Sequence, residues 1–262
     1  MNLSQIESPL TTYNLLITRN KQIIMKTKII VFFTVMAAVM CLSTACAQSR
    51  ITSKNFPVRA FLAIESNSVG NLHIRQGSDT QVRAEGDDEM IKKLDIRVEQ
   101  GTLVIDMEKT IVKKWKRNTK LDIYITTPSL SKLEQDGVGN VVFTGTVNVP
   151  KLEISSDGVG NISSDELICD DLIIESDGVG NIQLAGKTQI LSVYSDGVGN
   201  VNTENLIAAK AKIISNGVGN VRCYATEEVD ISAGGVGNVT YFGNPASKYI
   251  RKGGIGKVKA GD

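Results

Sequence analysis

Four aspartates recur at nearly equal intervals in this sequence: Asp136, Asp157, Asp177 and Asp196, each directly before a G-V-G-N tetrapeptide. Carboxylates gathered in this way can do three kinds of chemistry. Stacked side by side they repel one another, and an oxygen-rich row of this kind attracts calcium. Beside the amides of Asn161, Asn181 and Asn200 they can hydrogen-bond the hydroxyls of an extended polymer such as a polysaccharide. Two of them at a defined separation, one with a raised pKa, can cleave a glycosidic bond.

Each reading competes with the plain one, in which Asp serves a turn and Asn stacks as a structural amide. Calcium is disfavoured because Asn216 and Gly234 take the Asp position in later copies and the nine-residue calcium repeat is absent, so no metal is expected. Catalysis is disfavoured because a catalytic pair normally interrupts a repeat, whereas these residues are the repeat. No irregular cluster of Asp, Lys and Arg accompanies them, so neither enzymatic activity nor a cofactor is expected. A carbohydrate-active enzyme on the same scaffold is the alternative.

The remaining chemistry-bearing residues are sparse. His73 is the one histidine in 262 residues, it has no obvious catalytic partner, and it falls on a strand surface. The segment KTIVKKWKRNTK, residues 109–120, carries six basic side chains around Trp115 and suits an acidic polysaccharide, a lipid head group or nucleic acid, the last disfavoured by export, against the plain reading of a solvated hairpin end. Cys169 and Cys223 lie at different phases of the repeat, about three turns or ~14 Å apart by strand spacing, too far for a disulfide. Neither reads as a nucleophile.

What must position these residues is a repeat. GVGN starts at Gly137, Gly158, Gly178, Gly197, Gly217 and Gly235, with a degenerate GIGK at Gly254, in steps of 21, 20, 19, 20, 18 and 19 residues. A further copy, Ser68-Val69-Gly70-Asn71, stands apart and out of phase. A period near 20 is too short for helical repeats or a propeller blade, and the signature of leucine-rich repeats is missing. One turn of a parallel β-solenoid fits.

Apolar residues two apart precede each motif: Leu152 and Ile154, Leu172 and Ile174, Leu191 and Val193, Ala211 and Ile213, Val229 and Ile231. That is strand periodicity. A second column follows the motif, through Val141, Ile162, Ile182, Val201, Val221, Val239 and Val258. Successive turns bury these columns jointly, since no turn can bury its apolar face alone. The fold expected is all-β, a single-stranded parallel right-handed β-helix with about 20 residues per turn. Continued alternation through the motif turns Ser156, Ser176, Ser195 and Ser215 inward and the Asp and Asn rows outward. This extended path is slightly favoured over a sharp corner carrying an Asn ladder.

Residues 56–127 lack the period. Residues 61–64, 71–75 and 121–125 read as strands, 87–93 as one or two helical turns, and 94–98 with 102–107 as a hairpin about Gln100-Gly101. This part starts the solenoid and, to about residue 130, caps it within one domain spanning residues 48–262.

Residues 1–47 read as a signal region: Lys26 and Lys28, the apolar run 29–40, then Ala45-Cys46-Ala47. Met25 is the more natural start, so residues 1–24 read as a mis-assigned beginning. Cleavage after Ala47 and lipidation of Cys46 are both open, the second on Leu42-Ser43-Thr44-Ala45-Cys46, with Ser43 a poor fit to a lipobox. Contact with a membrane is expected only through such an anchor. The whole chain has a net charge of +1, which argues against nucleic acid, since phosphate neutralisation needs a basic excess.

The leader, the opening F-x-x-I at residues 61–64, the stretch GDDEMIKKLDIRVEQGTLVIDM at 86–107, ITTPSL at 125–130 and the glycine-flanked repeats together resemble the auto-transporter adhesin head GIN domain family of exported Bacteroidetes proteins. The resemblance covers residues 55–258, with G-V-G-N-[IV] here where the family usually has G-S-G-[DN]-[IV]. It implies a β-helical protein of the periplasm, outer membrane or cell surface, with no established activity and no transferable site residues. The function expected is an adhesin-like binding or structural module for a polysaccharide or other cell-surface polymer. Self-association through the exposed ends is also open.

Overall fold

The computed structural model describes residues 51–108 and 120–261; Trp115, Cys46 and the signal region lie outside them. Within the described residues the chain is a β-solenoid of about six turns with roughly 20 residues each. The regular coils are built from β9 (Val141–Phe143), β10 (Val147–Asn148) and β11 (Lys151–Ser156), then β12 (Ile162–Ser176), β13 (Ile182–Ser195), β14 (Val201–Ser215) and β15 (Val221–Ala233). They finish with β16 (Val239–Phe242), β17 (Ser247–Lys252) and β18 (Val258–Ala260).

Each strand pairs in parallel with its equivalent one coil away. Ile154 stands beside Ile174, Ile174 beside Val193, Val193 beside Ile213, and Ile213 beside Ile231. The column that begins at Val141 and Ile162 continues in the same way to Val258. Both columns point inward and are buried to 3% exposure or less as far as Val239. The variation in step length is taken up away from the motif, at register shifts between Ser164 and Leu167, Gln183 and Ala185, and Thr203 and Ile207. The core columns therefore stay aligned although the coils differ in length.

The front part departs from chain order. It comprises β1 (Ile51–Phe56), β2 (Ala63–Ser66), β3 (Asn71–Gln76), β4 (Gln81–Asp87), the single-turn helix α1 (Asp88–Ile91), β5 (Leu94–Glu99), β6 (Thr102–Met107), β7 (Leu121–Thr127) and β8 (Lys132–Gln135). Strands β2 and β3 form a coil between two others: β6 and β7 pair with them on one side, β8 and β9 on the other, all in parallel. The copy at Ser68-Val69-Gly70-Asn71, out of phase along the sequence, is in phase in space, with Val69 bridged to Val138. The two copies are offset by 69 positions, and the described residues between them build the coil beneath. Antiparallel strands then end the stack, β5 on β6, β4 on β7 and β1 on β4. Gln100 and Gly101, with φ of 48° and 84°, make the tight turn that the sequence signals between β5 and β6.

Residues of one type separate cleanly by position. Ile174 has no exposure, whereas Val179, five residues on and also β-branched, is 53% exposed. Ile174→Ala is expected to cost about 2–5 kcal/mol in chemical denaturation, and Val179→Ala within about 0.5 kcal/mol of zero. Equal losses would show that the columns do not carry the stability.

Candidate functional site

The motif is a corner, not a straight run: the chain bends at each of its two glycines, with a single bridge at the valine between them. The extended path gives way because two glycines let one coil settle directly on the next. A Cβ added to Gly180 would lie 1.7 Å from the carbonyl oxygen of Gly160, and one on Gly158 would lie 2.1 Å from that of Gly137. Both obstacles are backbone, so neither can swing aside. Between the glycines, Val138, Val159, Val179, Val198, Val218 and Val236 bridge coil to coil and stand about half exposed, forming an apolar ridge.

The asparagines close the corner. The Asn181 side-chain amide donates to Asn161 Oδ1 at 3.1 Å, and the Asn181 backbone N–H donates to the same oxygen at 3.0 Å. Asn200 does likewise to Asn181, at 2.9 and 3.1 Å. The ladder runs through Asn238, Asn220, Asn200, Asn181, Asn161, Asn140 and Asn71, every amide donating toward the front of the stack. Aligned amide dipoles reinforce one another. The last of them, Asn71 Nδ2, donates to Asp122 Oδ1 at 3.1 Å, so the ladder ends on an anion.

Asp136, Asp157, Asp177 and Asp196 form a second row beside the ridge, one on each successive coil and exposed. Their side chains have no hydrogen-bond or ion-pair partner among the described residues. Partial desolvation at the corner, then repulsion from Asp157 and Asp196, pushes the Asp177 carboxyl above the usual range. Desolvation and the carboxylates of Asp157, Glu134 and Glu65 do the same to Asp136. Among the described residues no three His, Cys, Asp or Glu side chains gather as a metal-ligating group. Cys169 and Cys223 are both buried and unpaired, and burial pushes the Cys223 thiol up to about 12.

The structure also assembles a site that the sequence reading missed. On β3, β7 and β4 the outward residues His73, Tyr124 and Arg83 fall opposite one another. The His73 ring stacks on Tyr124 at 4.7 Å, and the Arg83 guanidinium lies over Tyr124 at 4.8 Å. His73 does have a partner: its Nε2 is 3.0 Å from Asp122 Oδ1. Burial opposes ionisation of Asp122, but the hydrogen bonds from His73 and Asn71 outweigh it and hold the carboxyl below its ordinary range. Beside this stack lies an open groove of about 730 Å³ that also takes in Phe56, Arg75 and Thr126. Alternation in residues 121–125 was the available signal, since it turns Asp122 and Tyr124 outward. Their partners are some 50 residues away and follow only from the parallel pairing.

Within the described residues the chain is a repeat scaffold, a β-solenoid with an exposed valine ridge. The sequence matches, over residues 60–245, the family described as "Putative auto-transporter adhesin, head GIN domain", and the chain belongs to that family. It is similar to a "putative adhesin" of Bacteroides fragilis, with 34% identity, a TM-score of 0.78, and coverage of 81% of this chain and 98% of that one. Two structures from Parabacteroides distasonis share the fold at lower identity. One is called a "putative lipid binding protein" (20% identity, TM-score 0.58) and the other a "putative adhesin" (22%, 0.58), each covering 82% of this chain and 98% of its own. Among curated proteins nothing matches.

Two expectations follow from the corner. Gly180→Ala has no route to relax and should lose about 3 kcal/mol or more. Asn181→Ala, which removes exposed hydrogen bonds to both neighbours, should lose only about 1–2 kcal/mol in the same denaturation assay. A Gly180→Ala protein as stable as the parent would refute the close stacking.

The Asp row gives a pH test. Because the folded-state pKa of Asp177 is raised, its ionised form weakens the fold at neutral pH, and the penalty fades as pH falls through that value. Asp177→Asn, the residue type already found at Asn216, should therefore raise Tm at pH 7 and leave it equal to the parent below about pH 3. A lower Tm at pH 7 would mean that the carboxylate supports the corner.

Proposed function

We propose that this chain is an exported, non-enzymatic adhesin-like module of the bacterial envelope, and that its glycine-corner ridge contacts a hydroxyl-rich surface polymer. The observation carrying this reading is the regular row of unpartnered carboxylates beside an exposed valine ridge, repeated coil after coil on a rigid backbone. Carboxylates accept from sugar hydroxyls, and valines suit the C–H faces of the rings. With coils about 4.8 Å apart, a polymer lying along the axis meets the same pair of groups repeatedly. Weak contacts then add through multivalency, without a deep pocket.

Family membership and the likeness to the Bacteroides fragilis "putative adhesin" support a surface-presented role. Among the described residues no helix is long and apolar enough to cross a membrane. Attachment through Cys46, or release into the periplasm after Ala47, belongs to the same proposal.

A panel of envelope and host polysaccharides, scored both for binding and for release of reducing ends, tests it. Binding by the parent should fall at least about tenfold in Asp157→Asn/Asp177→Asn, since two carboxylates of the array are lost. Failure to bind any member would overturn the polymer reading. Reducing ends released by the parent but not by Asp177→Ala would establish an enzyme instead.

A further inference from the structure

The ridge does not account for the groove at the front of the stack. Its lining comes from strands far apart in sequence: the His73–Tyr124–Arg83 row on β3, β7 and β4, and Phe56 at the end of β1. Its charge is one-sided. The described residues lining it include two guanidinium groups, Arg75 and Arg83, and no carboxylate, in a chain whose net charge is only +1.

The three basic side chains differ in how far they are already engaged. Arg83 is paired with Glu85 at 3.3 Å and lies over Tyr124. His73 is held by Asp122. Arg75 is exposed and has no hydrogen bond, ion pair or ring contact among the described residues. An unsatisfied guanidinium is a bidentate donor set that matches one carboxylate. Arg75 also sits in a fixed frame, because its strand neighbour on β7 is Thr126, which in turn pairs with Gln81 on β4. The row therefore offers a cation, a hydroxyl and an amide side by side. Phe56, packed partly against the core with Lys54 Nζ over its ring at 4.6 Å, adds an apolar edge.

That combination selects a ligand with one negative charge, several hydroxyls and a C–H face. The volume, about 730 Å³, lies in the range of small-molecule sites. We infer that the groove lined by the His73–Tyr124–Arg83 stack and Phe56 is a binding site for an acidic sugar, with Arg75 receiving the carboxylate of a hexuronate unit. The His73–Tyr124–Arg83 stack is the rigid wall. The Tyr124 ring is already stacked by His73 and overlain by Arg83, so its hydroxyl is the group left to meet the sugar. Asp122 is a positioning residue: fixed by the end of the amide ladder, it sets the orientation of the His73 ring.

This site is independent of the ridge, and one experiment distinguishes the two. Calorimetric titration of the protein with oligogalacturonate should give saturable binding. The fully methyl-esterified oligomer, which keeps the sugar and loses the charge, should bind at least about tenfold more weakly. Arg75→Ala should cause a similar loss with an unchanged Tm, because Arg75 holds nothing in the fold, and Arg75→Lys should fall in between. Asp177→Asn on the ridge should leave the binding constant unchanged. Equal binding of the acidic and esterified oligomers, full binding by Arg75→Ala, or no saturable heat with the acidic oligomer would each overturn the inference. Loss in Asp177→Asn with full binding by Arg75→Ala would place the contact on the ridge.

Discussion

At every corner one backbone carbonyl rests where a side chain would otherwise begin. The distance from the Gly160 oxygen to an imagined Cβ on Gly180 is 1.7 Å, and the same relation recurs from coil to coil up to Gly256 over Gly237. Such contact is open only to glycine, and it fixes the vertical spacing of the stack at the motif. The valine between the glycines must then bridge outward, and the asparagine after them is set directly over its equivalent, so its amide can reach the one below. The core columns follow from the same constraint, because strands entering and leaving a fixed corner have a fixed register. Length differences between coils are taken up at register shifts a few residues past the motif, inside the long strands.

The amide ladder gives the corner a direction as well as a spacing. All its side-chain donors point the same way, and the end that accumulates positive character meets Asp122. A carboxylate there is stabilised in its charged form, which in turn orients His73. The repeat and the groove are therefore physically connected, although one is periodic and the other is assembled from irregular strands. At the opposite end the ladder stops on the backbone N–H of Lys257, and the inner column runs out at Ile250, which is 44% exposed.

Much of this was legible in the sequence, for identifiable reasons. Leu172, Ile174 and Ile182 declare themselves because a parallel coil places each residue beside another of its own kind about 20 positions away. The path of the motif was less legible. Alternation and turn chemistry both allow Ser176 inward and Asp177 outward, so burial alone cannot separate a straight run from a corner; the carbonyl of the neighbouring coil decides it. The copy at Ser68 looked misplaced because sequence spacing measures the excursion between neighbours, not their distance. The His73 site was hidden for a related reason. His73, Asp122 and Arg83 lie on three strands whose pairing is not set by the repeat, and neither Asp122 nor Arg83 belongs to any motif.

The placement of β2 and β3 between two coils that follow them in the chain bears on how the stack comes together. Each regular coil finds its neighbour after about 20 residues, but Asn71 meets Asn140 only across 69. By loop-closure entropy that difference amounts to about 1 kcal/mol, small against the stability of a folded domain. Its weight falls on rate, since contacts remote along the chain form late. A polypeptide emerging from its N-terminus presents β2 and β3 before either of the layers that flank them. The regular coils can nucleate among themselves, whereas the groove-bearing end must wait for a distant segment to return.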